Sequence, residues 1–360
     1  MVMVTPAMEI YKAGITFAAM NQVSVIILCW NNLAWLKRFL PSIQANTPKE
    51  IADVVVVDNG SSDHTGDWLA AEYPDVTLIT FDRNYGYAGG YQLAIDEIQS
   101  KYVVLLNSDV EVTAGWIEKL VDFMDEHPLA GAVAPKIRSF TDRGLFEYAG
   151  AAGGFIDRYG YPFCRGRIFN SIEADTGQYD LASRVFWASG ACLMVRTNAY
   201  RISGGLDSLF FAHMEEIDLC WRMHSFGYEV WYTPDSLIFH VGGGALPNES
   251  PKKLYLNFRN NLLLLRKNLP ANSRARILLV RKILDGVAAI QFLFKGKPGF
   301  FMAVLKAHRD YYRLWKKEYV NYSGPSHPSP HLLDGFYNHS IVANYFLKGK
   351  KHFSELPHQR

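Results

Sequence analysis

The sequence predicts an α/β fold, a mostly parallel central sheet with helices on both faces, followed by a basic, mainly helical C-terminal segment. Three observations predict it: short β-branched runs alternate with stretches of helical spacing, these runs end in polar or acidic turns, and cationic residues at a helical period take over after Leu262. Alternation of this kind builds parallel βαβ units. Ligands in such sheets bind at the carboxyl ends of the strands.

In order, residues 23–28 (VSVIIL) read as a strand and 33–43 as its helix. The unit recurs as a strand at 54–57 with a helix at 67–72, a strand at 76–81 with a helix at 89–99, and a strand at 103–106 with a helix at 114–126. From 135 to 184 the regularity gives way to Gly, Tyr, Arg and Asp, which reads as a loop-rich insert or short hairpins. Long loops in a compact domain are commonly functional. Regular signals return at 187–195 and 230–232, and between them a helix at 215–226 closes on Gly227. The expected organisation is an extension at 1–21, a main domain at 22–265 with halves at about 22–134 and 135–265, a basic helical segment at 266–320 and a tail at 321–360 that is left free or docked.

Composition narrows the function. A length of 360 residues gives room for one large α/β domain or two ordinary ones. Hydrophobic residues at 49% and charged residues at 20% exclude a disordered chain. A net charge of +2 argues against a nucleic-acid surface. Cys29, Cys164, Cys192 and Cys220 form no CxxC pair, which excludes a zinc knuckle or thioredoxin motif and suits reduced thiols in a cytosolic protein. The first 21 residues carry no basic-then-apolar leader, and no run reaches the roughly 18–20 apolar residues of a membrane span.

Charge is uneven, however. Residues 266–317 hold 13 Lys and Arg against Asp285 and Asp310, a local +11 that leaves about −9 for the rest. Ile277, Val280, Leu284, Val287 and Phe294 recur at roughly helical spacing among Arg281, Lys282 and Lys295. Such helices suit an anionic membrane surface; the same pattern also fits a helical appendage with a solvated basic face. On the first reading, removing everything after Leu269 shifts the protein from the membrane to the soluble fraction.

Three strand ends carry candidate chemistry. VVVVDNGSSDHT, residues 54–65, places Asp58 at a strand end, where a carboxylate can accept from a nucleobase N–H or ribose hydroxyl, with Asn59, Ser61 and Ser62 shaping the turn. It also reads as an Asx-type turn capping the next helix. RNYGYAGGYQLAI, residues 83–95, brings Gly86, Gly89 and Gly90 to a helix start that favours phosphate oxygens, or is a glycine-eased turn. VVLLNSDVEV, residues 103–112, runs a buried strand into Asn107, Ser108 and Asp109, an oxygen site for Mg²⁺ or Mn²⁺ against a diphosphate, or a helix cap.

These motifs resemble the family 2 glycosyltransferases of the GT-A (Rossmann-like) fold, inverting and nucleotide-sugar-dependent, and particularly their rhamnosyltransferase-like branch. The resemblance covers about 23–269 and extends through WASGACLMVR (187–196), GGLDSLFFAHMEEIDLCWR (204–222) and IFHVGG (238–243) in the family's order. It implies that Asp58 binds the nucleobase, that Asn84 and Gly86 border the nucleotide, and that Asp109, completed by His240, holds the divalent cation, Mn²⁺ or Mg²⁺. Asn107 stands where many relatives carry a first Asp. Glu216 stands where the family commonly has the Asp general base, and the helix amino end predicts it ionised at neutral pH. On one helical face, Glu215, Asp218 and Arg222 make a supporting set, and Trp187, Gly190, Phe211 and Glu215 fall on the acceptor side.

The activity this implies is metal-dependent transfer from dTDP-rhamnose or a UDP-sugar to a hydroxyl of a lipid-linked or polysaccharide acceptor, on the cytoplasmic face of the membrane. Two rivals are a sugar-nucleotide pyrophosphorylase, whose glycine-rich loop would stand where this chain has CWNN after its first strand, and an inactive carbohydrate-binding scaffold on the same fold.

Overall fold

A computed structural model describes residues 8–11, 21–242, 250–319 and 328–357. The expected extension at 1–21 therefore lies mostly outside the described residues, as do Gly243 and parts of the tail. The strands are β1 (Met8–Tyr11), β2 (Val23–Cys29), β3 (Ala52–Asp58), β4 (Thr77–Phe81), β5 (Tyr102–Asn107), β6 (Val110–Val112), β7 (Ala130–Ser139), β8 (Gly154–Asp157), β9 (Pro162–Cys164), β10 (Arg167–Ile168), β11 (Ser171–Ile172), β12 (Ser183–Arg184), β13 (Cys192–Arg196), β14 (Glu229–His240) and β15 (Phe336–Tyr337). The helices are α1 (Leu33–Ala45), α2 (Thr65–Glu72), α3 (Gly86–Asp96), α4 (Trp116–Glu126), α5 (Thr197–Ile202), α6 (Glu215–Ser225), α7 (Pro251–Asn268), α8 (Ala271–Phe294) and α9 (Pro298–Glu318).

Among the described residues the central sheet runs β1-β4-β3-β2-β5-β13-β7-β14-β12, with β6 pairing β14. Its first half is the parallel run β4-β3-β2-β5 that the alternating sequence predicts. Successive residues in these strands face opposite sides, so both sides must be covered. Ile26, Val55, Val57, Val103 and Leu105 join Tyr91 and Ile95 of α3 in one core. Val25, Ile27, Val56, Val104 and Leu106 join Leu36 and Leu40 of α1 and Leu120 of α4 in the other.

The second half is mixed, because β13 lies antiparallel between β5 and β7 while β14 returns parallel to β7. This brings the end of β14, with His240, beside the turn after β5. The insert folds as short strands in a second sheet, β11-β10-β9-β8-β15, and the tail docks there through β15. The boundary expected at 265 falls inside α7, whose Leu262, Leu263, Leu264 and Leu265 are buried in the core beneath α6 and the insert.

Candidate active site

The carboxyl ends of β2, β3 and β5 open into a cavity of about 240 Å³. Asn59, Asn84, Gly86, Asn107 and Asp109 line it from the N-terminal half, and Gly190, Phe211, Glu215, Glu216 and His240 from the other half. Motifs separated by more than a hundred residues thus share one space.

The N-terminal side is knitted by amides. Asn59 accepts from Tyr85 N–H at 3.0 Å and donates to Gly86 O at 3.0 Å, while Asn84 Oδ1 accepts from Gly86 N–H at 2.7 Å. Gly86 sits at φ +76°, and a Cβ there would lie 2.5 Å from Phe211 O. Only glycine fits at that point, where the two halves of the site touch.

Asp58 and Ser61 are placed differently from the expectation. Neither lines the cavity. Asp58 Oδ1 accepts from Ser61 N–H at 2.9 Å, so the Asx turn forms, and Oδ2 lies over Gly66. Trp187 is a second correction: its ring packs on Gly154 and its indole N–H donates to Phe155 O at 2.9 Å, which makes it a core residue and not part of the acceptor surface. Gly190 does line the cavity, accepting at its carbonyl from the Tyr87 hydroxyl at 2.6 Å.

At the turn after β5, Asp109 Oδ1 lies 3.1 Å from His240 Nε2, and Asn107 Nδ2 lies 3.4 Å from the same nitrogen. On the other edge of the ring, Nδ1 stands 3.3 Å from Glu147 Oε2, a charge contact without good hydrogen-bond alignment. Burial alone would push the His240 imidazole down, but the Glu147 and Asp109 carboxylates outweigh it and hold it at about 10. A histidine backed by a carboxylate on its second nitrogen is the usual arrangement of a metal ligand. Among the described residues no three His, Cys, Asp or Glu groups form a metal cage. Asp109 and His240 fit a cation that takes its remaining ligands from water and substrate oxygens, as Mg²⁺ and Mn²⁺ do.

Glu216 stands in the first turn of α6, directly after a contorted loop. Phe211, His213 and Met214 all have positive φ, at 66°, 70° and 73°. Such residues persist only where their surroundings fix them. The surroundings here come from α7: Asn260 donates to the carbonyls of Phe210, Ala212 and His213 at 2.7–2.8 Å, and Arg259 donates to those of Leu209 and Phe210.

Burial raises Glu216 to about 7 against the pull of backbone N–H groups at Met214, Glu216 and Ile217, and it raises Glu215 further, with the Glu216 charge adding to the effect. The helix amino end therefore does not keep Glu216 fully ionised at neutral pH as expected; desolvation outweighs it. Each glutamate keeps one buried carboxylate oxygen, Oε2, without a partner among the described residues. Behind them Asp218 is fully buried, accepting from Arg222 at 2.7 Å, Lys267 at 2.8 Å and Asn268 at 2.8 Å. Burial opposes its charge, but Arg222 and Lys267 hold it down at about 2. Asp218 thus ties α6 to α7, Arg222 ties it to the Ser203 and Gly205 carbonyls, and neither lines the cavity.

Residues 24–199 match the family described as Glycosyl transferase family 2. This segment is a family 2 glycosyltransferase domain. The match ends within α5, so Glu216, His240 and α7 lie beyond it. The N-acetylglucosaminyl-diphospho-decaprenol L-rhamnosyltransferase of Mycobacterium tuberculosis is 29% identical over 221 residues, 57% of this chain and 71% of the relative. The dTDP-rhamnosyl transferase RfbF of Shigella flexneri is 29% identical over 231 residues, 60% of this chain and 71% of the relative. In fold, the glycosyltransferase is similar to GalNAc-T7 solved with UDP, GalNAc and Mn²⁺, at a TM-score of 0.54 and 14% identity over 87% of this chain and 60% of that one. It is also similar to residues 1–349 of S. aureus TarS in complex with UDP-GlcNAc, at 0.51 and 16% over 81% of this chain and 80% of that one.

Sequence reasoning missed Glu147, Trp30, Lys252 and Lys253, all of which line the cavity. None stands in a motif whose spacing marks it; Glu147 comes from the irregular insert, and the two lysines from the first turn of a helix not foreseen.

Proposed function

We propose that this glycosyltransferase inverts the anomeric centre while moving a sugar from a nucleoside-diphosphate donor, dTDP-rhamnose or a UDP-sugar, to a hydroxyl of a lipid-linked acceptor. The observation that carries the reading is the pair of buried, partnerless carboxylate oxygens of Glu215 and Glu216 in the cavity that Asp109 and His240 also line. An acceptor O–H satisfies such an oxygen, and a carboxylate near 7 is matched to taking its proton at neutral pH.

In this reading Asn59, Asn84 and Gly86 border the nucleotide. Glu216 accepts the acceptor's proton as that oxygen bonds to the anomeric carbon and the bond to the diphosphate breaks. Asp109 and His240 would hold a divalent cation, which when bound supplies positive charge against the donor diphosphate. The names of the two rhamnosyltransferase relatives support the donor and, for the mycobacterial one, the lipid-linked acceptor. Thermal stabilisation by UDP, dTDP and GDP, each with and without Mn²⁺, tests it. A metal-dependent rise with one nucleotide is expected; no rise with any favours the inactive scaffold.

A lipid-linked acceptor requires the enzyme at a membrane surface. No helix among the described residues is long and apolar enough to cross one. The support comes from α8, where Leu279, Ile283, Val287, Ile290, Leu293 and Phe294 are 45% to 89% exposed along one stripe. Of the positions chosen from periodicity, Val287 and Phe294 lie on this stripe, whereas Ile277, Val280 and Leu284 are half-buried. Lys295 and Lys297 follow the stripe's end, a pairing of apolar and cationic groups suited to an anionic bilayer lying against the helix.

A further inference from the structure

We propose that Lys252 and Lys253 of α7, with His213, form a phosphate-binding wall of the cavity that receives a phosphate or diphosphate group carried by the acceptor. The proposal rests on the reading of this cavity as the transfer site. Lys252, Lys253 and His213 line the same 240 Å³ space as Glu216. An acceptor whose hydroxyl meets Glu216 therefore sets its neighbouring atoms against the first turn of α7.

The electrostatics of the cavity require such a wall. Asp109, Glu147, Glu215 and Glu216 bring four carboxyl groups to its lining. A phosphorylated acceptor adds negative charge to that space, and in a buried setting the repulsion is strong unless cations stand beside the new group. A cation held at Asp109 and His240 answers the donor's diphosphate, not a second anionic group. Lys252 meets no carboxylate among the described residues; its ammonium lies 5.8 Å from the Phe211 ring, at the junction of the two halves. Lys253 faces Glu147, whose charge offsets part of the burial that pulls the lysine down. Burial, with the nearby Lys253 charge, holds the His213 imidazole neutral at about 4, and its Nε2 is buried without a partner, free to hydrogen-bond a phosphate oxygen.

The same chemistry has two sources, the acceptor's phosphate or the donor's own diphosphate, and binding measurements separate them. The full chain is titrated with inorganic pyrophosphate without divalent cation, and with the stabilising nucleoside diphosphate plus Mn²⁺, following thermal stability. Lys252→Ala/Lys253→Ala is expected to weaken pyrophosphate at least tenfold while the nucleotide's apparent Kd moves less than twofold, and the Arg/Arg pair is expected to recover pyrophosphate binding. A parallel loss of nucleotide binding assigns the lysines to the donor and overturns the proposal, as does pyrophosphate binding that is absent in the wild type or indifferent to the substitutions. Turnover does not enter this readout, so it stands or falls apart from the role of Glu216.

Discussion

Glu216 shows how a residue's surroundings set its use. Its first-turn position alone predicts an ionised carboxylate, yet desolvation beside Glu215 carries it from 4.5 to about 7. The two glutamates interact, so the pair titrates as a unit. Transfer measured as kcat/KM should rise with pH through about 7 and level off above it; a flat profile from pH 6 to 8 would remove Glu216 from the proton transfer. Stability runs the other way. A carboxyl whose folded pKa is raised contributes stability that is fully present below 4.5 and lost as pH rises through about 7. Glu216→Gln should accordingly melt above wild type at pH 8, with the gap narrowing toward pH 5. At this scale the sequence marked Asn59, Asn84, Gly86, Asp109, Glu216 and His240 because each closes or follows a strand or opens a helix. It could not mark Glu147 or Lys252, which reach the cavity only through tertiary packing, and it misplaced Trp187 because an aromatic beside Gly-rich sequence looks the same in a core as on a sugar-binding face.

Among the elements, α7 has the widest reach. Its Asn260 and Arg259 hold the loop of positive-φ residues, its Lys267 and Asn268 hold Asp218, and its first turn lines the cavity. Asn260→Ala removes the side-chain donor of the Ala212 and His213 carbonyls, while Phe210 O keeps Arg259, a cost of about 1–3 kcal/mol. It should lower Tm and reduce kcat by letting the loop before Glu216 relax; a variant with wild-type kcat would show that the loop holds its shape unaided. This helix was not legible because Arg259, Asn260, Asn261, Lys267 and Asn268 point inward, so its buried face does not read as apolar. The strand β7 was missed for a related reason. Its AGAVAPKIRS is rich in Ala, Gly and Pro, which carry weak β-propensity, and its place between β13 and β14 makes it a strand. The four parallel strands were legible since their β-branched, two-sided burial is written in local sequence.

For the whole molecule, the catalytic half, the insert, the C-terminal helices and the tail share one core. Leu262 to Leu265, Tyr311, Tyr319, Tyr337 and Leu356 pack in the same cluster as Tyr91 and Trp221. Cutting after Leu269 would strip the cover from this core as well as any membrane contact, so loss of membrane partitioning in that truncation would not report on lipid alone. Substitutions on the exposed stripe do: Ile283→Glu/Ile290→Glu/Phe294→Glu should keep wild-type Tm and abolish sedimentation with vesicles containing anionic lipid. Unchanged sedimentation would reject the α8 face as the contact. The central claim is tested most directly by the turnover of Glu216→Gln beside wild type, with nucleotide stabilisation in Mn²⁺ as the control for an intact site. The structure predicts that stabilisation is retained while transfer falls by about 10²- to 10⁴-fold; transfer at the wild-type rate would contradict it.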